Sequence, residues 1–380
     1  MSEMFWIIMF IPLMLPFIGK IIFKCRIQWT EMVLQFCVAL VVGMTIYHIG
    51  KYSQIYDVEI WNGEVLSKRD QREECVQRWR RTAHWFCTNN QTRQVEISRT
   101  CDSEGRCTSI YATEYRNIFP WEHRYFVTTS FGEVEVPRID RQGANFPPLY
   151  TKTEIGEPAS RTNRFENYVK AASSSLFNFE QSLAELYAEH IPTYPNQLYE
   201  LWKVDRVFQI GVQLPDIAEW NYDLGMILRE AGPKRQANAV IIINNIESLI
   251  YPDAVIQKWQ GGKKNDTLLF ISVDENMQIQ HVRVHSWSKN EYYNVALRDE
   301  IAELGVLDRE SVIRVLHSNL MNHFERRSMK EFEYLKDEIE PSTGQLIFLF
   351  IFVTLFSGLM TYGFSRINLN EIILSLFSRR

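Results

Sequence analysis

The sequence predicts an α+β membrane protein, with two N-terminal and one C-terminal transmembrane helices around a β-rich domain and an α/β domain. Three observations predict this. Apolar stretches run Met4–Gly19 (past Lys20 to Phe23), Met32–Gly50 and Leu346–Phe364, and the last two approach the ~20 apolar residues a helix needs to cross hydrocarbon. After the second stretch come short, alternating, β-branched segments bounded by turn residues. From about Leu214, buried apolar strands alternate with helical periods instead.

The charges beside the stretches give an orientation. Lys20, Lys24 and Arg26 face a single Glu31 in the first loop, and Arg366, Arg379 and Arg380 face a single Glu371 in the tail. By the positive-inside rule both are cytoplasmic, which puts Lys51–Gln345 on the other side. Trp6, Trp29, Tyr47 and Tyr362 lie near the stretch ends, where amphipathic rings favour the interface. Pro12 and Pro16 make the first stretch a kinked spanning helix, with a re-entrant segment or a cleaved signal as alternatives. The leading Met-Ser-Glu has no positive charge and no small-x-small cleavage site follows, unlike a signal peptide. His48 is two residues from the end of its stretch and reaches the interface. Six segments follow: membrane helices in 1–50, a β-rich domain in 51–156, a helical connector in 157–213, an α/β domain in 214–337, a membrane helix in 338–366 and a tail in 367–380. In the tail Ile367, Leu369, Ile372, Ile373, Leu376 and Phe377 recur with helical spacing before Arg379-Arg380. That pattern fits a helix lying in the cytoplasmic interface.

A net charge of −5 over 380 residues leaves no basic excess for nucleic acid. Cys25 and Cys37 lie in or beside membrane segments. The other four, Cys75, Cys87, Cys101 and Cys107, fall early in the exported region, and an even number there reads as two disulfides in an oxidising compartment. Three pairings are open, and the local one joins Cys75 to Cys87 and Cys101 to Cys107. A zinc site assisted by His84 is the competing account, but eleven, thirteen and five residues separate successive cysteines, without a Cys-x-x-Cys knuckle.

Val95–Ser98, Tyr125–Val127 and Gly132–Val136 read as strands. Trp85, Trp121, Tyr111, Tyr115 and Tyr125 fit a small β core better than a carbohydrate platform. Pro192 and Pro195 stop helical turns around Glu180–Glu189. Ile217–Glu230 is a helix ended by Gly232-Pro233. Ala239–Asn244 and Thr267–Val273 are strands buried on both faces, separated by a short helix from Pro252 to Trp259. Met277–Val284 is a hairpin partner across the Asp274-Glu275-Asn276 turn, and helices follow near Lys289–Leu304 and Glu310–Lys336.

The segment Lys152–Phe179, with Thr153-Glu-Ile-Gly-Glu-Pro158 and Arg161-Thr-Asn-Arg-Phe-Glu166, resembles one in membrane proteins of tailed bacteriophages. That resemblance implies a phage product in the bacterial host inner membrane with its large domain in the periplasm. Ala239-Val-Ile-Ile-Ile-Asn244, Trp259, Asn265-Asp-Thr-Leu-Leu-Phe-Ile-Ser-Val-Asp274 and Ile279-Gln-His-Val-Arg-Val284 together resemble the TPM domain, over roughly 215–325. This implies an αβα sandwich, and some members are acid phosphatases or bind divalent metals. The chain departs from the TPM pattern at Asp266, at Glu275-Asn276 and at His285-Ser286-Trp287.

The candidate metal ligands are Asp216, Asp274 and Glu275, with Asn244 or Asn245 from a parallel neighbouring strand, for Ca²⁺ or Mg²⁺. Asp266 and Asp274 lie a strand apart, about 23 Å, and cannot share an ion. The competing account makes Asp274 and Glu275 hairpin-turn residues. There is no Gly-x-Ser-x-Gly, phosphate-cradling loop or His-Glu-x-x-His. The expected function is a membrane-anchored scaffold or interaction protein, partnered by the lipid bilayer and an envelope protein. The alternative is a metal-dependent TPM-type acid phosphatase.

Overall fold

The computed structural model describes residues 3–23, 27–83, 86–87, 90–101, 103–137, 146–172 and 182–366. Three described helices are long and apolar enough to span a membrane: α1 (Glu3–Phe23), α2 (Trp29–Ile55) and α10 (Thr343–Arg366). Phe5, Met9, Leu13, Ala39, Tyr47, Leu349 and Val353 pack between them, while Ile7, Ile21, Val33, Val41, Leu355 and Leu359 point outward. Apolar residues on the outer surface are what a lipid-facing bundle requires.

α1 continues through Pro12 and Pro16, and a neighbouring helix supplies a partner for the carbonyl that Pro16 leaves free. Pro16 has no N–H to give the carbonyl of Pro12, and Ser357 Oγ of α10 donates to that oxygen at 3.0 Å. Buried Gln35 of α2 donates to the Ser357 carbonyl at 2.7 Å and to Thr361 Oγ1 at 2.8 Å. In hydrocarbon, where water cannot help, such side chains re-satisfy a broken ladder. The tail helix expected over 367–380 lies outside the described residues.

α2 runs directly into β1 (Tyr56–Glu74), a strand of 19 residues, about 60 Å long at ~3.3 Å per residue. Its two halves have different neighbours. Tyr56–Glu64 pairs antiparallel with β6 (Pro158–Glu166), and Val65–Glu74 pairs with β4 (Trp121–Thr129). β5 (Gly132–Val136) completes the order β5-β4-β1-β6. β6 corrects the expected helical connector: Ala159 and Phe165 supply buried anchors, and the intervening polar residues pair with β1. β2 (Asn90–Cys101) and β3 (Cys107–Asn117) form a separate two-stranded ribbon. Short helices α3 (Pro148–Lys152), α4 (Tyr168–Ala171) and α5 (Ser182–Leu186) lie along the connection.

The second sheet has the order β10-β9-β8-β7. β7 (Val207–Ile210), β8 (Asn238–Asn244) and β9 (Asp266–Val273) are parallel, and β10 (Ile279–Ser286) is antiparallel to β9. Every residue of β8 and β9 is buried, as their continuous apolar runs require. Ala239, Ile241 and Ile243 meet α6 (Ile217–Arg235), α8 (Tyr292–Glu303) and α9 (Arg309–Asn322). Val240 and Ile242 meet α7 (Tyr251–Lys258) and Trp259 on the other face.

Two helix boundaries differ from expectation. α6 passes through Gly232-Pro233 and ends at Gln236, whose φ is 53°. Gly232 is there for close approach, since a Cβ would stand 2.3 Å from the Asn62 carbonyl oxygen of β1. The long helix expected over Glu310–Lys336 stops at His323, whose carbonyl accepts from Asn290 Nδ2 at 3.0 Å. Ser328 then caps a separate 3-10 helix, Met329–Glu338.

Candidate functional site

An open crevice of about 670 Å³ lies at the carboxyl ends of β8 and β9, lined by Asn245, Glu247, Ser248, Asp274, Gln280 and His281 among others. The ends of parallel strands are where open α/β sheets bind ligands. Gly211, at φ 71°, borders this end: an added Cβ would sit 1.9 Å from Asn245 Oδ1. Asn245 therefore takes its place only beside glycine.

The structure does not gather Asp216, Asp274 and Glu275 around one point. Asp274 Oδ1 accepts from the backbone N–H groups of Asn276 and Gln278 at 2.8 and 2.9 Å, and its Oδ2 accepts from Gln280 at 3.1 Å. Its carboxylate organises the turn between β9 and β10. Glu275 is exposed beside it. Asp216 stands just before α6 at a different pocket, with Trp220 and Met277, and its carboxylate pairs with Arg309 at 3.5 Å rather than capping the helix. Arg309 also reaches Asp223 at 3.4 Å. Asn244 turns inward, its Oδ1 accepting from Ile246 N–H at 3.0 Å and Ser272 Oγ at 3.1 Å. Among the described residues no three His, Cys, Asp or Glu side chains form a set that could hold a metal ion. As an open polar surface, the crevice offers hydrogen bonds to a hydrated ligand.

The cysteines are joined as Cys75–Cys87 and Cys101–Cys107. These two staples bracket the β2–β3 ribbon. At its base Asn117 Nδ2 donates to the Val76 carbonyl at 2.8 Å, and Arg80 and Tyr115 exchange backbone bonds at 2.8 and 2.7 Å. At its tip the Cys101 and Cys107 Cα atoms are 4.0 Å apart. Almost every ribbon residue is exposed or half-exposed, and a lone hairpin is marginal in water. Cross-strand pairs assist the staples: Arg93 pairs with Glu114 at 2.8 Å and stacks on Trp79, and Ser109 Oγ donates to Glu96 at 3.0 Å. A bulge between Glu96 and Ser98 leaves Ile97 unpaired in the register. Ile97, Ile110 and Tyr111 are 46, 56 and 58 % exposed. The other aromatics do not join them in one platform. Tyr125 is buried against Tyr150, Arg72 covers Trp121, and Trp85 lies outside the described residues.

Sequence reasoning missed a buried polar junction at the opposite end of the α/β sheet. Lys263 Nζ donates to both oxygens of Asp57 at 2.7 and 2.8 Å, and Lys170 adds a second cation at 3.5 Å. Burial opposes the charge on Asp57, but these lysines hold its carboxyl below the usual range. Asp266 accepts from Asn238 at 2.9 Å, Tyr194 at 2.6 Å and the Lys263 N–H at 2.8 Å, yet burial still raises its pKa. Arg206 donates to Asn62 and Asn238, and burial lowers its guanidinium to about 10. Glu59 Oε1 accepts from Arg326 at 2.5 Å, Trp61 at 2.9 Å and Asn163 at 3.1 Å. These groups tie the first half of β1 to the α/β domain. The one signal available in the sequence was Lys263-Lys264-Asn265-Asp266, a polar run leading into the apolar stretch Leu268–Ile271.

No protein family model, no curated protein and no solved structure matches this chain.

Proposed function

We propose that this protein is a membrane-anchored scaffold or interaction protein, whose contact element is the β2–β3 ribbon carried outside the cytoplasm. The single observation that carries the reading is the ribbon itself: two strands of 12 and 11 residues, exposed on both faces and stapled at base and tip. Apolar Ile97, Ile110 and Tyr111 on a rigid exposed support suit a protein partner, since contact surfaces favour tyrosine and apolar anchors. The resemblance to tailed-phage membrane proteins supports a phage-encoded product in the host inner membrane with an envelope protein as partner. The basic loops support a periplasmic placement of the large domain.

The test places a photoreactive amino acid at Tyr111 or, for comparison, at Glu275 of the full-length chain in host membranes. The expected result is a discrete protein adduct from position 111, lost when Ile97 and Ile110 are changed to Ser. Adducts from position 275 alone would reject the ribbon as the contact element.

The second reading is a TPM-type metal-dependent acid phosphatase, favoured by the polar crevice at the carboxyl ends of the parallel strands. Hydrolysis of a generic phosphomonoester by the purified full-length chain, dependent on Mg²⁺ or Ca²⁺ and lost in Asp274→Asn with Glu275→Gln, would establish it. The scaffold reading expects no metal-dependent turnover, because the Asp274 oxygens are engaged by the turn.

A further inference from the structure

The outer end of α2 carries a groove of about 610 Å³ that neither the crevice nor the ribbon uses. Its lining positions on α2 recur at steps of three and four residues from Val41 through Met44, His48 and Tyr52 to Tyr56, the first residue of β1. They form one stripe of the helix. The buried positions Met32, Gln35, Ala39, Gly43, Tyr47 and Gly50 belong to the opposite side, towards α1 and α10. The stripe therefore faces away from the bundle, and Arg164 of β6 closes its outer end.

Chemistry changes along the stripe. Val41, Met44 and Ile49 are apolar, whereas His48, Tyr52, Tyr56 and Arg164 are polar or charged. From Val41 to Tyr56 the groove extends about 22 Å at 1.5 Å per residue. With Trp29 opening α2, ~20 residues bring the helix across the hydrocarbon at about Ile49. Pro341, just before α10, and Gln345, in its first turn, meet Gly50 at the same level. The polar half of the groove thus lies at the depth of lipid headgroups, the level tyrosine favours.

Arg164 is the cation available there. It is exposed, its guanidinium stacks 3.8 Å from the Tyr56 ring centroid, and it makes no ion pair among the described residues. Lys51 and His48 are the other basic groups at this end of α2. Glu166 is the acidic group on the same strand, and its carboxylate accepts from the Tyr168 hydroxyl. A guanidinium held by stacking, with its donors open to the interface, suits a phosphate oxygen pair.

We propose that this groove holds one anionic phospholipid, with an acyl chain along Val41, Met44 and Ile49 and its phosphate on Arg164. The Tyr52 and Tyr56 hydroxyls flank the headgroup. The site fixes the junction where a membrane helix becomes β1, so the lipid bears directly on how the exported domains stand on the membrane. It rests on the reading that α1, α2 and α10 cross a bilayer.

The experiment uses the full-length chain in a neutral detergent, titrated with phosphatidylglycerol or phosphatidylcholine and weighed by native mass spectrometry. One phosphatidylglycerol per chain should be retained, and phosphatidylcholine about tenfold less, because its choline cation sits beside the phosphate and opposes the Arg164 guanidinium. Arg164→Gln should lose that preference, while Arg69→Gln, on the far half of the same sheet, should keep it. Equal retention of the two lipids, or an unchanged preference in Arg164→Gln, would overturn the site. So would a shift from dimer to monomer in Arg164→Gln without a change in bound lipid, because the groove would then seat a second copy. Carbonate extraction of membranes separates the two levels of failure. Release of the wild-type chain removes the spanning reading and the site with it, whereas retention confines any failure to the site.

Discussion

The two halves of β1 sit in one continuous strand and are held by opposite means. Tyr56–Glu64 is clamped between β6 and the α/β domain, with Glu59 and Ile60 fully buried and Asp57 nearly so. Val65–Glu74 pairs with β4, loses burial towards its end and leads to the Cys75–Cys87 staple and the ribbon. The inner half depends on desolvated charges and packing that several elements share. The outer half depends on covalent closure and local cross-strand pairs. Damage at the junction should therefore spread through both domains, and damage in the ribbon should stay local.

The largest expected effect is at the junction. Asp57→Ala leaves Lys263 buried beside an empty position, and breaking such a pair costs about 3–5 kcal/mol. Thermal unfolding followed by tryptophan fluorescence should show the loss in a single transition shared by both domains. Two separate transitions in the variant would mean that the junction does not couple them.

Removing the tip staple should act differently. Cys101→Ser with Cys107→Ser opens a small loop, for which chain entropy gives about 2 kcal/mol. Hydrogen exchange should quicken across 90–117 while β8 and β9 keep their protection. Faster exchange in β8 would break the comparison, because the ribbon would then be part of the core.

The two buried carboxylates sharpen it through pH. Lowered Asp57 contributes stability that is present above the ordinary carboxylate pKa of ~3.9 and lost as pH falls through its folded value. Raised Asp266 works in the other direction, stabilising below ~3.9 and losing that contribution as pH rises through its folded value. Asp57→Asn should flatten the acid side of the stability profile. Asp266→Asn should remove the loss on rising pH, so that its stability relative to wild type improves from acid towards neutral. Identical profiles for the two variants would contradict the environments assigned to them.

The smallest effect belongs to the ribbon surface. Arg93→Ala removes an exposed pair with Glu114 and a stack on Trp79, together worth up to about 1 kcal/mol. Local exchange at 93–95 and 112–114 should report it with no change in overall melting. A shift in overall melting would mean that this pair supports more than the ribbon.

These contrasts also explain what was legible in the sequence. Ala239–Asn244 and Thr267–Val273 announced β8 and β9 because burial on both faces leaves consecutive apolar residues, Ala239–Ile243 and Leu268–Ile271. The apolar lengths announced the three membrane helices for the same reason. β1 escaped notice because its outer half reads Ser67-Lys-Arg-Asp-Gln-Arg-Glu-Glu74, a charged sequence that becomes a strand only by pairing with β4. β6 and the junction escaped because their partners are remote in sequence: Asn62 meets Arg206, and Glu59 meets Arg326. Two disulfides were legible from the even number of exported cysteines, while the pairing stayed open until the structure joined Cys75 to Cys87 and Cys101 to Cys107. The carboxylates Asp216 and Asp274 were legible as candidates, but only the structure shows that one is held by Arg309 and the other by its own turn.

The central claim is that the ribbon and the α/β domain are displayed on the side of the membrane opposite the basic loops. Reporter fusions in bacterial cells test it most directly, using a reporter active only outside the cytoplasm, joined after Gly50, inserted at Gly105 in the ribbon tip, or joined after Arg380. Activity is expected at Gly50 and Gly105 and none at Arg380. Activity at Arg380 together with silence at Gly105 would contradict it.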